Sequence, residues 1–220
     1  MRSRLLPAAA LLAAVSSVSQ ARADVAAFGF SGGGVSGSVV LTYGPDAVVG
    51  DPPGAYVITN ASGTFSDLNI GIAGAAITGV APSAPASPEP TNLLAPKSFG
   101  FYPITSGVPA PGGASAPGFA YDDLFYPGGS PQTASDYPFH GGFLDIYGAV
   151  FTIAGNRAVN LWSDGDDGTG LTYGVGVTDG TNVLDYVFSG VAVPEPGSFG
   201  LFGIGLLSAL AWRRRGGATV

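Results

Sequence analysis

The densest run of ligand-type side chains is Ser163-Asp164-Gly165-Asp166-Asp167-Gly168-Thr169-Gly170. Its carboxylates, Asp164, Asp166 and Asp167, sit on a glycine-bent segment, which is one way to bring hard oxygen ligands to calcium. The spacing is not that of an EF-hand, because the twelfth position counted from Asp164 is Val175 and not an acid. Aspartate and glycine also favour β-turns, so a solvated turn is the competing reading. A second group places Asp122 and Asp123 among Tyr121, Phe125 and Tyr126. Ring faces beside carboxylates can grip a sugar, the rings by stacking and the acids through its hydroxyls. Tyr121, Asp122, Asp123 and Tyr126 are therefore the candidate carbohydrate contacts, although such rings commonly build a core instead.

Other chemistry is poorly supplied. His140 is the single histidine and there is no cysteine, which leaves no structural zinc site. The run Asp136-Tyr137-Pro138-Phe139-His140-Gly141-Gly142 can place His140 beside Asp136 or Asp145, or simply hold it in an aromatic turn bonded to backbone. Gly29-Phe30-Ser31-Gly32-Gly33 has the letters of a hydrolase nucleophile elbow. That motif needs a strand before it and a helix after it, and here a glycine run and another strand follow. A Ser31, Asp145, His140 triad would also break the chain order of that fold. No catalytic residue is assigned and no enzyme is expected. A glycoside-type hydrolase stays as an alternative, requiring Asp122, Asp123, Asp136 and Asp145 to converge in a cleft.

The elements that must position these groups read as strands. From Val35 to Tyr43, Val35, Gly37, Val39, Leu41 and Tyr43 fall on one face and Ser36, Ser38, Val40 and Thr42 on the other. Ala55–Thr59 and Gly63–Asp67 read as short strands parted by Asn-Ala-Ser-Gly, and the apolar stretch Ile70–Val80 follows. Phe143–Ile153 and Ala158–Trp162 flank Gly155-Asn156, a hairpin signal. Leu171–Thr178 and Thr181–Phe188 flank Asp179-Gly180, which favours a tight type I′ turn. No helical stripe appears between residues 24 and 193, so an all-β, antiparallel, jelly-roll-like β-sandwich is expected over 24–192. A long irregular stretch, Ala81–Pro138, interrupts it. Its first part is proline-rich like a linker. Its later part carries Phe99, Phe101, Tyr102, Phe119, Tyr121, Phe125, Tyr126, Tyr137 and Phe139, which suits an ordered loop packed over the sheet.

Charge separates this middle from the ends. Of 220 residues 10% are charged, too few for a coiled coil or an ordinary solvated surface. Between residues 24 and 193 only Lys97 and Arg157 stand against fourteen acids, so nucleic acid is excluded as a partner. The other basic residues lie at the termini. Arg2 and Arg4, the apolar Leu5–Val18 and Ala21-Arg22-Ala23 form the three parts of a signal peptide over 1–23, with the mature chain starting at Asp24. At the other end Val193-Pro194-Glu195-Pro196 precedes the uncharged Gly197–Trp212 and then Arg213-Arg214-Arg215. The prolines stop a helix from running upstream, the apolar run enters a bilayer, and the arginines hold the tail in the cytoplasm. Sixteen residues span about 24 Å as a helix, short for a permanent anchor and fitting for a transient one.

This three-part tail, residues 193–215, resembles the PEP-CTERM sorting signal, also filed as an ice-binding-protein C-terminal domain. The resemblance implies an exosortase-like membrane enzyme acting at Pro194, Glu195 and Pro196, transient residence in the inner membrane through a helix at 197–212, and then the cell surface or extracellular space. Blocks such as Ser66–Ile70, Pro90–Pro96 and Tyr126–Ile146 are also similar to secreted PEP-CTERM proteins. The expected role is structural or exopolysaccharide-associated, without catalysis and without cofactor, calcium apart. A carbohydrate-binding module is the alternative. An ice-binding module is disfavoured, because no regular Thr-x-Thr ladder is present.

Overall fold

Alternating apolar and small polar residues, punctuated by glycine, leave this chain little choice but antiparallel strands. The structure, a computed structural model, describes residues 24–44, 51–82, 99–109, 115–131, 140–166 and 170–193. They form β1 (Asp24–Gly32), β2 (Val35–Tyr43), β3 (Tyr56–Asp67), β4 (Ile72–Val80), β5 (Gly100–Pro109), β6 (Ser115–Tyr121), β7 (Leu124–Phe125), β8 (Ala149–Ile153), β9 (Arg157–Asp166), β10 (Leu171–Thr178) and β11 (Val183–Val191). The main sheet runs β1-β2-β3-β4-β8-β9-β10-β11, with β7 attached to β3, while β5 and β6 make a separate hairpin. Every pairing is antiparallel.

The two ends of this path meet. Ser31 N donates to Ala192 O at 3.0 Å and Ala192 N donates to Ser31 O at 2.9 Å, which joins the β1 edge to the chain just past β11. The layers expected of a sandwich are thus opposite sides of one continuous sheet around a shared core. Its strands follow an up-and-down order and not the Greek-key order of a jelly roll. Phe28 of β1, Phe65 of β3, Phe151 of β8 and Tyr173 of β10 all contribute to that core. Phe143 stands at its middle, with ring centroids 4.6 Å from Phe28 and 5.2 Å from Tyr173.

Strand β2 has the expected bounds and faces: Val35, Val39 and Leu41 are buried, Ser36, Ser38 and Val40 exposed. Gly37 lies on the inward face without a side chain because the Phe30 ring of its cross-strand partner fills the space; a Cβ there would lie 2.5 Å from that ring. The break expected between Ala55–Thr59 and Gly63–Asp67 is absent. Tyr56 through Asp67 is the single strand β3, which pairs with β2 from Ile58 to Asp67. Gly63 serves close approach here, since a Cβ on it would meet Ser38 O at 1.9 Å.

Gly155 and Asn156 do close the β8–β9 hairpin, both at positive φ (91° and 56°). The β10–β11 connection is longer than a two-residue turn, with Thr178 paired to Val183. Asp179 Oδ1 holds it by accepting from Thr181 N and Asn182 N at 2.8 and 2.7 Å. The Ala81–Pro138 stretch holds β5, β6 and β7 where a long loop was expected. Ile104, Val108, Phe119 and Tyr121 of its hairpin pack with Val150 and Ala158 on the outer side of β8 and β9. Of the rings expected over the sheet, Phe119 and Tyr121 pack on its outer side and Phe99 and Tyr126 are buried, whereas Phe125 enters the central core, Phe101 and Tyr102 are half-buried, and Tyr137 and Phe139 lie outside the described residues.

Candidate functional site

Three places concentrate chemistry-bearing groups, and the first is interior. Asp122 and Asp123 follow β6, and Asp145 precedes β8. Two tight turns bring them together, because Asp122 N and Asp123 N both donate to Gly148 O at 3.1 Å. Asp122 Oδ1 accepts from Leu124 N, Asp145 Oδ1 from Tyr147 N and Gly148 N, and Asp123 Oδ1 from Val150 N. Tyr126 Oη donates to Asp145 Oδ2 at 3.4 Å. Burial pushes Asp122 well above the usual carboxylate range, and the facing Asp145 adds to it. Burial also raises Asp123 and Asp145. Burial therefore favours the protonated form across the Asp122–Asp145 pair.

All of these acids are 0–1% exposed. Asp122, Asp123 and Asp145 converge as a hydrolase would need, but in the interior and away from solvent; Asp136 lies outside the described residues. The candidate carbohydrate contacts are displaced for the same reason. Tyr121, Asp122, Asp123 and Tyr126 are at most 3% exposed, so no surface sugar reaches them. Apolar neighbours on both sides, not sugar, account for these rings.

The second place is the outer face of β9–β11, and the sequence reading missed it. Trp162 and Tyr186 stack with centroids 5.2 Å apart and planes 28° apart. Phe119 extends the stack on one side at 6.3 Å, and Phe188 lies 6.4 Å from Tyr186 on the other. Gly174 makes room for Trp162, whose ring would lie 2.1 Å from a Cβ there. Asp164 Oδ1 accepts from Trp162 Nε1 at 3.0 Å and fixes the indole. Burial lifts the Asp164 carboxyl to about 6, against the lowering effect of that hydrogen bond. Burial and then the Asp164 charge raise the Tyr186 hydroxyl. Tyr186 and Phe188 are 38% and 56% exposed and give the ledge a solvent-facing aromatic surface. The spacing Trp162-x-Asp164 and Tyr186-x-Phe188 was the available signal, since residues two apart on a strand share a face.

For the calcium reading, Asp164 is engaged with the indole and only 8% exposed, while Asp166 is exposed with Oδ1 accepting from Gly170 N at 3.1 Å. Asp167 lies outside the described residues. His140 is exposed, whereas Asp145 is buried. Gly29–Gly33 runs from β1 into the β1–β2 turn, with Gly33 and Gly34 at φ 60° and 88°, and no helix follows. Ser31 closes the sheet.

The third place joins Asp67, Asn69 and Asp185 beside that same turn.

The signal peptide expected at 1–23, Pro194, Glu195, Pro196, the 197–212 segment and Arg213, Arg214 and Arg215 lie outside the described residues. Among the described residues no helix is long and apolar enough to cross a membrane. No curated protein and no solved structure matches the chain. A family model does: residues 192–215 match the PEP-CTERM protein-sorting motif, which marks the chain as exported and anchored at its C-terminal side until an exosortase-type membrane enzyme processes it.

Proposed function

We propose that the exported β domain is a non-catalytic surface or matrix component that associates with exopolysaccharide. One observation carries this reading: Tyr186 and Phe188 present adjoining rings to solvent beside Asp164, on a stack anchored by Trp162. Flat rings accept the C–H faces of pyranose units. Ice binding is not favoured by such a ledge. The glycoside-hydrolase alternative lacks support from the converging acids, which solvent does not reach. The position of the sorting motif suits surface delivery. Ala192 and Val193 are the last described residues, and the first of them completes the sheet. Processing beyond Val193 leaves every described strand in place.

The test is affinity electrophoresis of the processed protein through gels containing exopolysaccharide from the producing cells. Wild-type protein should be retarded, and Tyr186→Ser with Phe188→Ser should weaken binding by about tenfold or more, the loss expected from two stacked rings. Equal retardation of wild type and a folded double variant overturns the assignment.

A further inference from the structure

The turn between β1 and β2, the turn after β3 and the first residues of β11 bring a set of oxygen atoms to one point at the seam of the sheet. Asp67 ends β3 and is 0% exposed. Its Oδ1 accepts from Asn69 N at 3.0 Å, while no donor reaches Oδ2, which faces the Asp185 carboxylate. Asn69 Nδ2 donates to Asp185 Oδ2 at 2.8 Å and to Gly33 O at 2.9 Å. Burial and the Asp185 charge together raise the Asp67 carboxyl above its ordinary range. Two facing carboxylates are costly unless a shared proton or a cation lies between them, and among the described residues the one lysine or arginine is Arg157, at the start of β9.

We propose that Asp67, Asn69, Asp185 and the carbonyl of Gly33 form a calcium site that clasps β11 to the β1–β2 and β3–β4 turns. Two carboxylates, one amide and one backbone carbonyl from three separate segments are the mixed hard-oxygen set calcium accepts, with water completing its six to eight ligands. Turning the Asn69 amide about its Cβ–Cγ bond exchanges Nδ2 for Oδ1 and points an oxygen where the amide nitrogen now meets Gly33 O and Asp185 Oδ2. Gly34, at φ 88°, leaves the space for that amide: a Cβ there would lie 2.4 Å from Asn69 Oδ1 and 2.7 Å from Nδ2. The Asn69 bonds are solvent-exposed, so an ion has access. The clasp lies where the closure is thinnest. Beside it, the described residues join β1 to the β11 side through the single bridge Ser31–Ala192. The site is separate from the Asp164–Asp166 segment and does not depend on the exopolysaccharide reading.

Calcium chloride titrated calorimetrically into the chelator-treated, processed protein tests this. One saturable site is expected, with the melting temperature rising about 5–10 °C at a hundredfold excess over Kd. Asp67→Asn and Asp185→Asn should abolish both effects, whereas Asp166→Asn should leave them intact. Asn69→Asp, which adds a carboxylate without removing a ligand position, should tighten binding about tenfold and serves if the other variants fold poorly. Absence of heat and of any melting shift in the wild type overturns the proposal. So does calcium binding that survives Asp185→Asn but is lost in Asp166→Asn, or stability at this pair that follows pH and ignores calcium.

Discussion

Strands β2 and β9 are built from the same kind of alternation and end in opposite environments. In β2, Val35, Val39 and Leu41 enter the core while Ser36, Ser38 and Val40 meet water. In β9 every residue from Ala158 to Gly165 is buried. Val159 and Leu161 join the central core, Ala158 packs under the β5–β6 hairpin, and Asn160 Nδ2 donates to Ala120 O at 3.0 Å. Trp162 lies beneath the Tyr186 ring. The β1–β4 half is thus covered on one side and the β8–β10 half on two. An outer layer turns outward-facing positions into core positions without changing the strand beneath. It also creates the boundary where exposed rings and buried acids gather.

The difference is sharpest in what a substitution costs. Phe119→Ala removes a 3%-exposed ring between the hairpin and the sheet and should destabilise by about 3–5 kcal/mol in urea unfolding. A loss below 1 kcal/mol would mean the hairpin is a dispensable cover, and the two halves would then be equivalent.

A second measurement reaches the joint between cover and sheet, where Asp122 and Asp145 meet. Their folded-state values are raised by burial, so their contribution to stability is fully present below the ordinary carboxylate range near 4. It declines as pH rises through the raised values, because the unfolded chain then binds fewer protons than the folded one. Asp122→Asn supplies a permanent donor to Asp145 and cannot ionise. The variant should be more stable than wild type at pH 7 by about 1.5–3 kcal/mol, the scale of a hydrogen bond to a charged group, with a flatter alkaline limb. Parallel pH profiles for the two proteins would show that the pair does not share a proton.

The smallest effect belongs to the open half. Val40→Ser on the outer face of β2, at a position 39% exposed, should change stability by less than about 0.5 kcal/mol in the same urea assay. A cost near that of Phe119→Ala would reveal a layer covering β1–β4 as well.

Legibility followed the same division. The bounds and faces of β2 were readable because one side meets water and the other does not, so the residue types alternate. The outer layer was not readable in the same way. Gly100–Pro109 and Ser115–Tyr121 carry Pro103, Pro109 and Pro117, residues that argue against a strand in the interior of a sheet. They are tolerated in a two-stranded hairpin that pairs with no third strand and meets the β10–β11 connection only through Thr105 N and Ser106 N. The strand break inferred at Asn60–Gly63 failed because Gly63 answers to the Ser38 carbonyl of a neighbouring strand, a contact no local pattern encodes. The site residues divide likewise. Asp122, Asp123, Tyr121 and Tyr126 stood out for composition and are interior, whereas Tyr186 and Phe188 looked like ordinary strand residues and face solvent.

By itself, then, the order of residues determined the sorting motif at 192–215, the antiparallel β class and the acidity of residues 24–193. Each depends on local composition or on a short period: an apolar run with arginines behind it, alternation at every second residue, a shortage of basic side chains. Tertiary structure decided the rest. Closure of the sheet depends on Ser31 meeting Ala192, the aromatic ledge on three strands and a hairpin lying side by side, and the seam cluster on two turns reaching β11. These are contacts between residues far apart in the chain, and the free energy that selects them comes from burying surfaces no single segment contains.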